Sequence, residues 1–243
     1  MSVKKILVLS AAAFVAMGAT AAMAGGPDHM AMPSEPAFQN NVYIEGHFGG
    51  TLANWTDFNS NNVIGNAGTS YFAPSSNGKG SWVGGADLGY SITQNIAVEG
   101  GWFYIPQVSA NGTGATPGTA ASQLGQTAKV DSWFAYAAAK FTVPVVSTFD
   151  LFGKVGVAYR SLSYTVPAAI TAMTGSVAGN GGYWAPVFGA GAQYGWGAWI
   201  LGFQYMYLPG NSAVNYGNTS FGAPNAAPEL NQFTGSLGYK FDV

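Results

Sequence analysis

The sequence predicts an all-β fold, an eight-stranded antiparallel transmembrane β-barrel behind a cleaved N-terminal signal peptide. Three observations predict it. The last stretch alternates, with Phe233, Leu237, Tyr239, Phe241 and Val243 on one parity and Thr234, Ser236, Gly238, Lys240 and Asp242 on the other. A strand sends successive side chains to opposite faces, so this segment has one apolar and one polar face. The same pattern recurs seven more times upstream. Finally, only 7% of the residues are charged, against roughly 25% in soluble domains. Yet no segment beyond the N-terminus reaches the ~18 apolar residues of a spanning helix. A membrane barrel reconciles these facts, because each strand is apolar only at alternate positions, with lipid on one face and a polar lumen on the other.

Residues 1–24 read as the signal peptide. Lys4 and Lys5 form its charged region, Ile6 to Ala16 its apolar run, and Ala22-Met23-Ala24 its cleavage site. The run is short and Ala-rich, which argues against a membrane anchor. Loss of Lys4 and Lys5 with the signal leaves six basic and ten acidic side chains, so there is no basic footprint for nucleic acid. The chain has no Cys, which excludes lipoprotein attachment and a disulfide scaffold. Residues 25–40 are rich in Gly and Pro without a period, and read as a flexible periplasmic lead-in. His29, Met30 and Met32 fall there, but one imidazole and two thioethers do not close a copper site.

The barrel is expected over 41–243. Strand one, about 41–55, carries Val42, Ile44, Phe48 and Leu52 on the lipid parity and Tyr43, Glu45, His47 and Thr51 on the lumen parity. The next four are about 81–92 (Trp82 and Leu88 against Asp87), 96–106 (Val98 and Trp102 against Glu99), 130–143 (Trp133 and Phe141 against Tyr136 and Lys140) and 149–163 (Leu151 and Val157 against Lys154 and Arg160). The last three are about 183–194, 198–208 and 230–243. Connections alternate between tight (93–95, 144–148, 195–197) and long (56–80, 107–129, 164–182, 209–229). Short periplasmic turns and long outer loops are the habit of bacterial outer-membrane barrels. That habit gives the expected location, the cell outer membrane, with both termini in the periplasm.

Taken together, the signal, the eight strands, the turn Ile92-Thr-Gln-Asn-Ile-Ala-Val-Glu99, the strand end Gly202-Phe-Gln-Tyr-Met-Tyr-Leu-Pro-Gly210 and the terminal Tyr239-Lys-Phe241 resemble the small Opa/OmpA-type outer-membrane barrels. That family's terminal signal usually ends on an aromatic residue; here it ends on Val243 with the parity kept. The resemblance implies outer-membrane lipid and lipopolysaccharide as surroundings. It also implies the barrel assembly machinery as a partner during biogenesis, reading Leu237, Tyr239, Phe241 and Val243.

Eight charged residues share the lumen parity: Glu45, Asp87, Glu99 and Asp150 against Lys140, Lys154, Arg160 and Lys240. Glu45, Glu99, Lys140, Lys154 and Lys240 lie near the periplasmic ends of their strands and are expected to form one layer. Eight strands leave a lumen just wide enough for side chains. Buried charges left unpaired cost several kcal/mol, so a structural salt-bridge plug is expected here rather than an ion pathway. His47 is the sole His in the barrel; it has no His-x-Ser arrangement and reads as a satisfied lumen histidine. No catalytic, cofactor or metal residue is assigned. Gly78-Lys-Gly-Ser81 lacks the strand–loop–helix setting of a phosphate loop. Trp82, Trp102, Tyr104, Trp133, Tyr159, Tyr205 and Tyr207 form one expected interfacial girdle; Tyr90, Phe141, Phe149, Tyr194, Trp199, Tyr239 and Phe241 form the other. The long loops carry only Asp57, Lys79, Lys129 and Glu229 as charges. Their neutral composition suits hydrogen-bonding contact with sugars or proteins. The expected role is thus a non-enzymatic surface protein for envelope structure and adhesion to a host or neighbouring surface. The alternatives are a small channel or carrier for ions or small solutes and, further off, a lipid-modifying barrel enzyme.

Overall fold

Alternating sequence becomes strand throughout. The structure, a computed structural model, describes residues 40–55, 64–65, 71–115, 123–165, 178–214 and 225–242. The expected signal peptide, the lead-in up to residue 39, and Val243 lie outside the described residues. The strands are β1 (Asn41–Asn54), β2 (Ile64–Gly65), β3 (Tyr71–Asn77), β4 (Ser81–Ser91), β5 (Ile96–Ala115), β6 (Gln123–Val146), β7 (Phe149–Thr165), β8 (Ala178–Trp196), β9 (Trp199–Leu208), β10 (Asn211–Val214), β11 (Asn225–Ala227) and β12 (Glu229–Asp242).

Eight of these close into an antiparallel barrel in the order β1-β4-β5-β6-β7-β8-β9-β12. Closure is made by β12 on β1, in register from Asn41↔Asp242 to Asn54↔Glu229. A closed ladder leaves no unpaired edge in hydrocarbon, where each orphaned backbone group would cost several kcal/mol. Among the described residues no helix is long and apolar enough to cross a membrane. At one end sit the tight turns: Val146↔Phe149 between β6 and β7, and Trp196↔Trp199 between β8 and β9. Gly197 takes φ of 60° in the second of these, a left-handed backbone that glycine adopts without strain. We call this the turn end and the other the loop end.

The outward face is apolar, with Ile44, Phe48, Leu88, Trp102, Val157, Leu201 and Phe203 all exposed. Two tryptophans outside the expected girdles stand out most, Trp184 and Trp196 at 71% and 77% exposed. The inward face corrects the expectation of a polar lumen. Its ionic layer is confined to the turn-end half, whereas Thr51, Ser132, Arg160 and Gln232 are scattered polar side chains in a loop-end half that is otherwise apolar. The loop-end half is filled by Phe103, Ile105, Phe134, Leu162, Met206, Leu208 and Leu230, all fully buried. Phe103 and Phe134 stack with centroids 5.2 Å apart. Apolar packing fills a narrow lumen without any need for partners, whereas every polar group there must find one.

The long connections also differ from expectation. Much of 107–129 is strand, because β5 runs to Ala115 and β6 begins at Gln123. β8 begins at Ala178, inside the expected 164–182 loop, and β3 lies within 56–80 and pairs with β5. These segments lack the run of large outward apolar side chains found lower in the barrel, so the period that marks the barrel strands is lost. β5 changes partner at a bulge between Ile105 and Val108. Below it β5 pairs with β4 up to Gly84↔Tyr104; above it with β3 from Asn77↔Ala110. Gln107 sits in the bulge with φ of 41° and its N–H donates to Asp131 Oδ1 at 3.0 Å.

Candidate functional site

The turn-end half of the lumen holds a layer of buried charge. β1 supplies Tyr43, Glu45 and His47, β4 Asp87, β5 Glu99, β6 Tyr136 and Lys140, and β7 Lys154. All five of its Asp, Glu and Lys residues are at most 5% exposed, so their hydration is lost and must be replaced by protein partners.

Glu99 is the hub. Tyr43 donates its hydroxyl to Oε2 at 2.8 Å, and Lys140 lies 3.4 Å from the same oxygen. Lys154 donates to Oε1. The Tyr136 hydroxyl lies 2.8 Å from Glu99 Oε1 and 2.9 Å from Asp87 Oδ2, and its single hydrogen serves one of them at a time. Asp87 Oδ2 further takes the ring of His47 at 2.8 Å and Lys154 at 3.5 Å. Glu45 accepts from Lys140 at 3.3 Å and from Ser236 at 2.8 Å. Gln204 Nε2 donates to His47 Nδ1 at 3.2 Å, which leaves the ring hydrogen on Nε2 for Asp87. The ammonium of Lys140 also stands over the rings of Tyr43 and Phe152, 4.8 and 4.6 Å from their centroids.

Glycines make the room. Gly89 pairs with Tyr43 across β1 and β4, and Gly101 with Tyr136 across β5 and β6. A Cβ on Gly89 would collide with the Tyr43 ring, and one on Gly101 with the Tyr136 ring and the Asp87 Cβ. The tyrosines are the functional side chains that pattern reading left without a role. A Tyr facing a Gly on the lumen parity is the signal that marks them.

The structure therefore brings together Glu45, Asp87, Glu99, Lys140 and Lys154, and adds His47. Lys240 does not join them. It pairs in register with Tyr43, one step nearer the turn end than Gly238, the partner of Glu45, and it lines a vestibule at the mouth together with Asp150. Asp150 accepts from Gln193 Nε2 at 3.0 Å. Arg160 lies apart in the apolar half, fully buried. Its Nη1 donates to the Pro228 carbonyl at 2.6 Å, and Nη1 and Nη2 lie 3.4 Å from the Tyr183 hydroxyl and Ser132 Oγ. Tyr183 in turn donates to the Pro209 carbonyl at 3.0 Å. Arg160 and Tyr183 thus pin both ends of the connection between β9 and β12. The terminal Leu237 and Phe241 face outward, and Tyr239 packs on Trp199 and Phe241 with centroids 5.1 and 4.9 Å away.

Chemically the layer is a set of ion pairs. Donor atoms of Glu45, His47 and Asp87 lie within 4.8 Å of one another, a spacing a metal could use. But His47 and Asp87 are bonded to each other, and the Lys140 and Lys154 ammoniums lie within 3.5 Å of the same carboxylates. A cation entering there would meet two positive charges, so the donor set does not fit one. Nor, among the described residues, does His47 meet a free nucleophile: the nearby Ser236 hydroxyl donates to Glu45.

Comparison with known proteins agrees with the architecture. The family profile for the OmpA-like transmembrane domain matches residues 39–241. No curated protein matches the sequence significantly. Among solved structures, the outer membrane protein OprG of Pseudomonas aeruginosa is similar with a TM-score of 0.51 at 15% identity, over 85% of this chain and 98% of OprG. The N-terminal β-barrel domain of Pseudomonas aeruginosa OprF gives 0.46 at 11% identity, over 84% of this chain and 98% of that one. The attachment invasion locus protein Ail of Yersinia pestis, solved with the heparin analogue sucrose octasulfate, gives 0.46 at 10% identity, over 84% and 100%. At these identities the likeness is one of fold.

Proposed function

We propose that this chain, which belongs to the OmpA-like transmembrane domain family, is a closed, non-enzymatic surface barrel that works through the strands and loops it carries beyond the bilayer. It is a bacterial outer-membrane β-barrel protein, set in lipid and lipopolysaccharide. The observation that carries the reading is the double seal of the lumen. The ion-paired layer closes the turn-end half, and Phe103, Phe134 and Met206, each with no exposed surface, close the loop-end half. An aqueous path would have to cross both. Catalysis lacks support as well, since His47 is committed to Asp87 and Gln204.

What remains for function is the loop end. β5 and β6 carry their strands beyond the barrel, β3 widens the sheet they form, and the exposed Asn77, Lys79 and Asn180 lie on this polar end. Such a surface suits adhesion to sugars or proteins of a host or neighbouring cell, and the terminal Leu237–Phe241 strand suits recognition by the assembly machinery. Planar-bilayer recording of the refolded protein tests the closed lumen. We expect no steady conductance. Steady conductance that disappears in Lys154→Ala would replace this reading with a channel for ions or small solutes.

A further inference from the structure

The turn-end vestibule contains charged groups that the layer above it does not use. It is a cavity of about 360 Å³ whose walls include Tyr43, Lys140, Asp150, Gln193 and Lys240. Lys140 forms its floor and is already paired with Glu45 and Glu99. Lys240 is different: no carboxylate among the described residues lies within ion-pair distance of it, Asp150 included. Asp150 likewise has no cation among the described residues; its one partner there is the amide of Gln193.

Gln193 is the third part. It is 8% exposed, and once its Nε2 is given to Asp150 its Oε1 is left buried without a donor. A buried carbonyl oxygen without a donor costs about 1–3 kcal/mol. The wall between β7 and β12 therefore carries the Asp150 carboxylate, beside it the buried Gln193 Oε1, and one unpaired ammonium three strands round the barrel. The strand order β7-β8-β9-β12 sets that separation.

We propose that the vestibule is a binding site for a small zwitterion of dipeptide size. The ligand's ammonium sits on the Asp150 carboxylate, and the Gln193 side chain turns its buried Oε1 toward it. Its carboxylate faces Lys240. An ammonium has three donors and no acceptor, so it serves both orphaned acceptors at once. A simple anion would meet Lys240 but be repelled by Asp150, and a simple cation would do the reverse. The two opposite charges, held apart by the intervening β8 and β9, select a ligand that carries both at a distance. The site is open at the turn end and needs no opening of the lumen, so it is independent of the loop-end function.

The probe is the dipeptide Ala-Ala, titrated against the refolded full-length barrel in detergent micelles while the side-chain amide of Gln193 is followed by NMR. The controls are N-acetyl-Ala-Ala, which lacks the ammonium, and Ala-Ala amide, which lacks the carboxylate. We expect a saturable shift with Ala-Ala and roughly tenfold weaker binding of each blocked form, the effect of one lost hydrogen bond to a charged group. The variants must then move discrimination selectively. Asp150→Asn should bind Ala-Ala and N-acetyl-Ala-Ala about alike, and Lys240→Gln should do the same for Ala-Ala and its amide. Heat-modifiable gel migration shows that each variant is folded. Absence of a saturable shift, or equal binding of all three probes by the unaltered protein, overturns the proposal.

Discussion

The two halves of the lumen are closed by opposite means. In the turn-end half, Glu99, Asp87 and Glu45 meet Lys140, Lys154 and three hydroxyls in a network in which nearly every member has two or more partners. In the loop-end half, Phe103, Phe134, Ile105, Leu162 and Met206 fill the same width with apolar volume. Charge is directional and must be matched group by group, whereas apolar packing needs only volume and a rotamer. The first half is therefore expected to be brittle and the second forgiving, although both exclude water.

The largest effect should come from Glu99→Gln. The side chain keeps its shape and loses its charge, so any loss of stability reports the network alone. Lys140 keeps Glu45 and Lys154 keeps Asp87, but the charge facing both falls by one in a desolvated site. Breaking a buried pair from one side costs about 3–5 kcal/mol. Urea unfolding in lipid vesicles, followed by tryptophan fluorescence, measures it. A loss below 1 kcal/mol would erase the contrast between the halves. Adding Lys154→Met to Glu99→Gln should deepen the loss, because it takes away the ammonium that Asp87 still holds.

How far this contrast was legible in the sequence depends on the neighbours of each residue. Glu99 stands on the opposite parity from Val98, Trp102 and Tyr104, so its inward direction is plain. Phe103 sits in the run Trp102-Phe-Tyr-Ile105, and Met206 in Tyr205-Met-Tyr-Leu208. Where both parities are apolar the period-2 signal vanishes, and the apolar half of the lumen is hidden inside what reads as a lipid face. Parity also gives direction but not height. Lys240 has lumen parity, yet β12 places it at the mouth rather than in the layer, and Arg160 stands well above it. The strand extensions at 107–115 and 178–182 were illegible for a third reason, the lack there of the run of large outward apolar side chains found lower in the barrel.

Arg160→Met should have an intermediate effect, and it tests whether the loop-end half is purely apolar. The guanidinium is the one charge among the described residues buried in that half, and its firmest bond is to the Pro228 carbonyl at 2.6 Å. Losing a hydrogen bond to a charged group costs about 1.5–3 kcal/mol. Removal of a buried charge that has no carboxylate within ion-pair distance among the described residues offsets part of that. We expect a net loss of about 1–2 kcal/mol. Backbone amide exchange should rise near Pro209 and Pro228, because the Arg160–Tyr183 pair holds both ends of that connection. A stable variant with unchanged exchange there would make Arg160 a passive filler.

The smallest effect should come from Met206→Leu. Met206 is fully buried in the loop-end half, beside Leu208 and Leu230 along β9 and β12. Its thioether has no hydrogen-bonding duty that leucine would abandon. The swap nearly conserves volume, and such swaps in packed interiors usually cost less than about 1.5 kcal/mol. Leucine is branched earlier, so the cost that remains measures how far the neighbouring side chains can shift. The same unfolding assay therefore ranks the two halves on one scale. If Met206→Leu destabilises the barrel as much as Glu99→Gln does, the apolar half is as exacting as the charged one. The difference between directional and volumetric closure would then be lost.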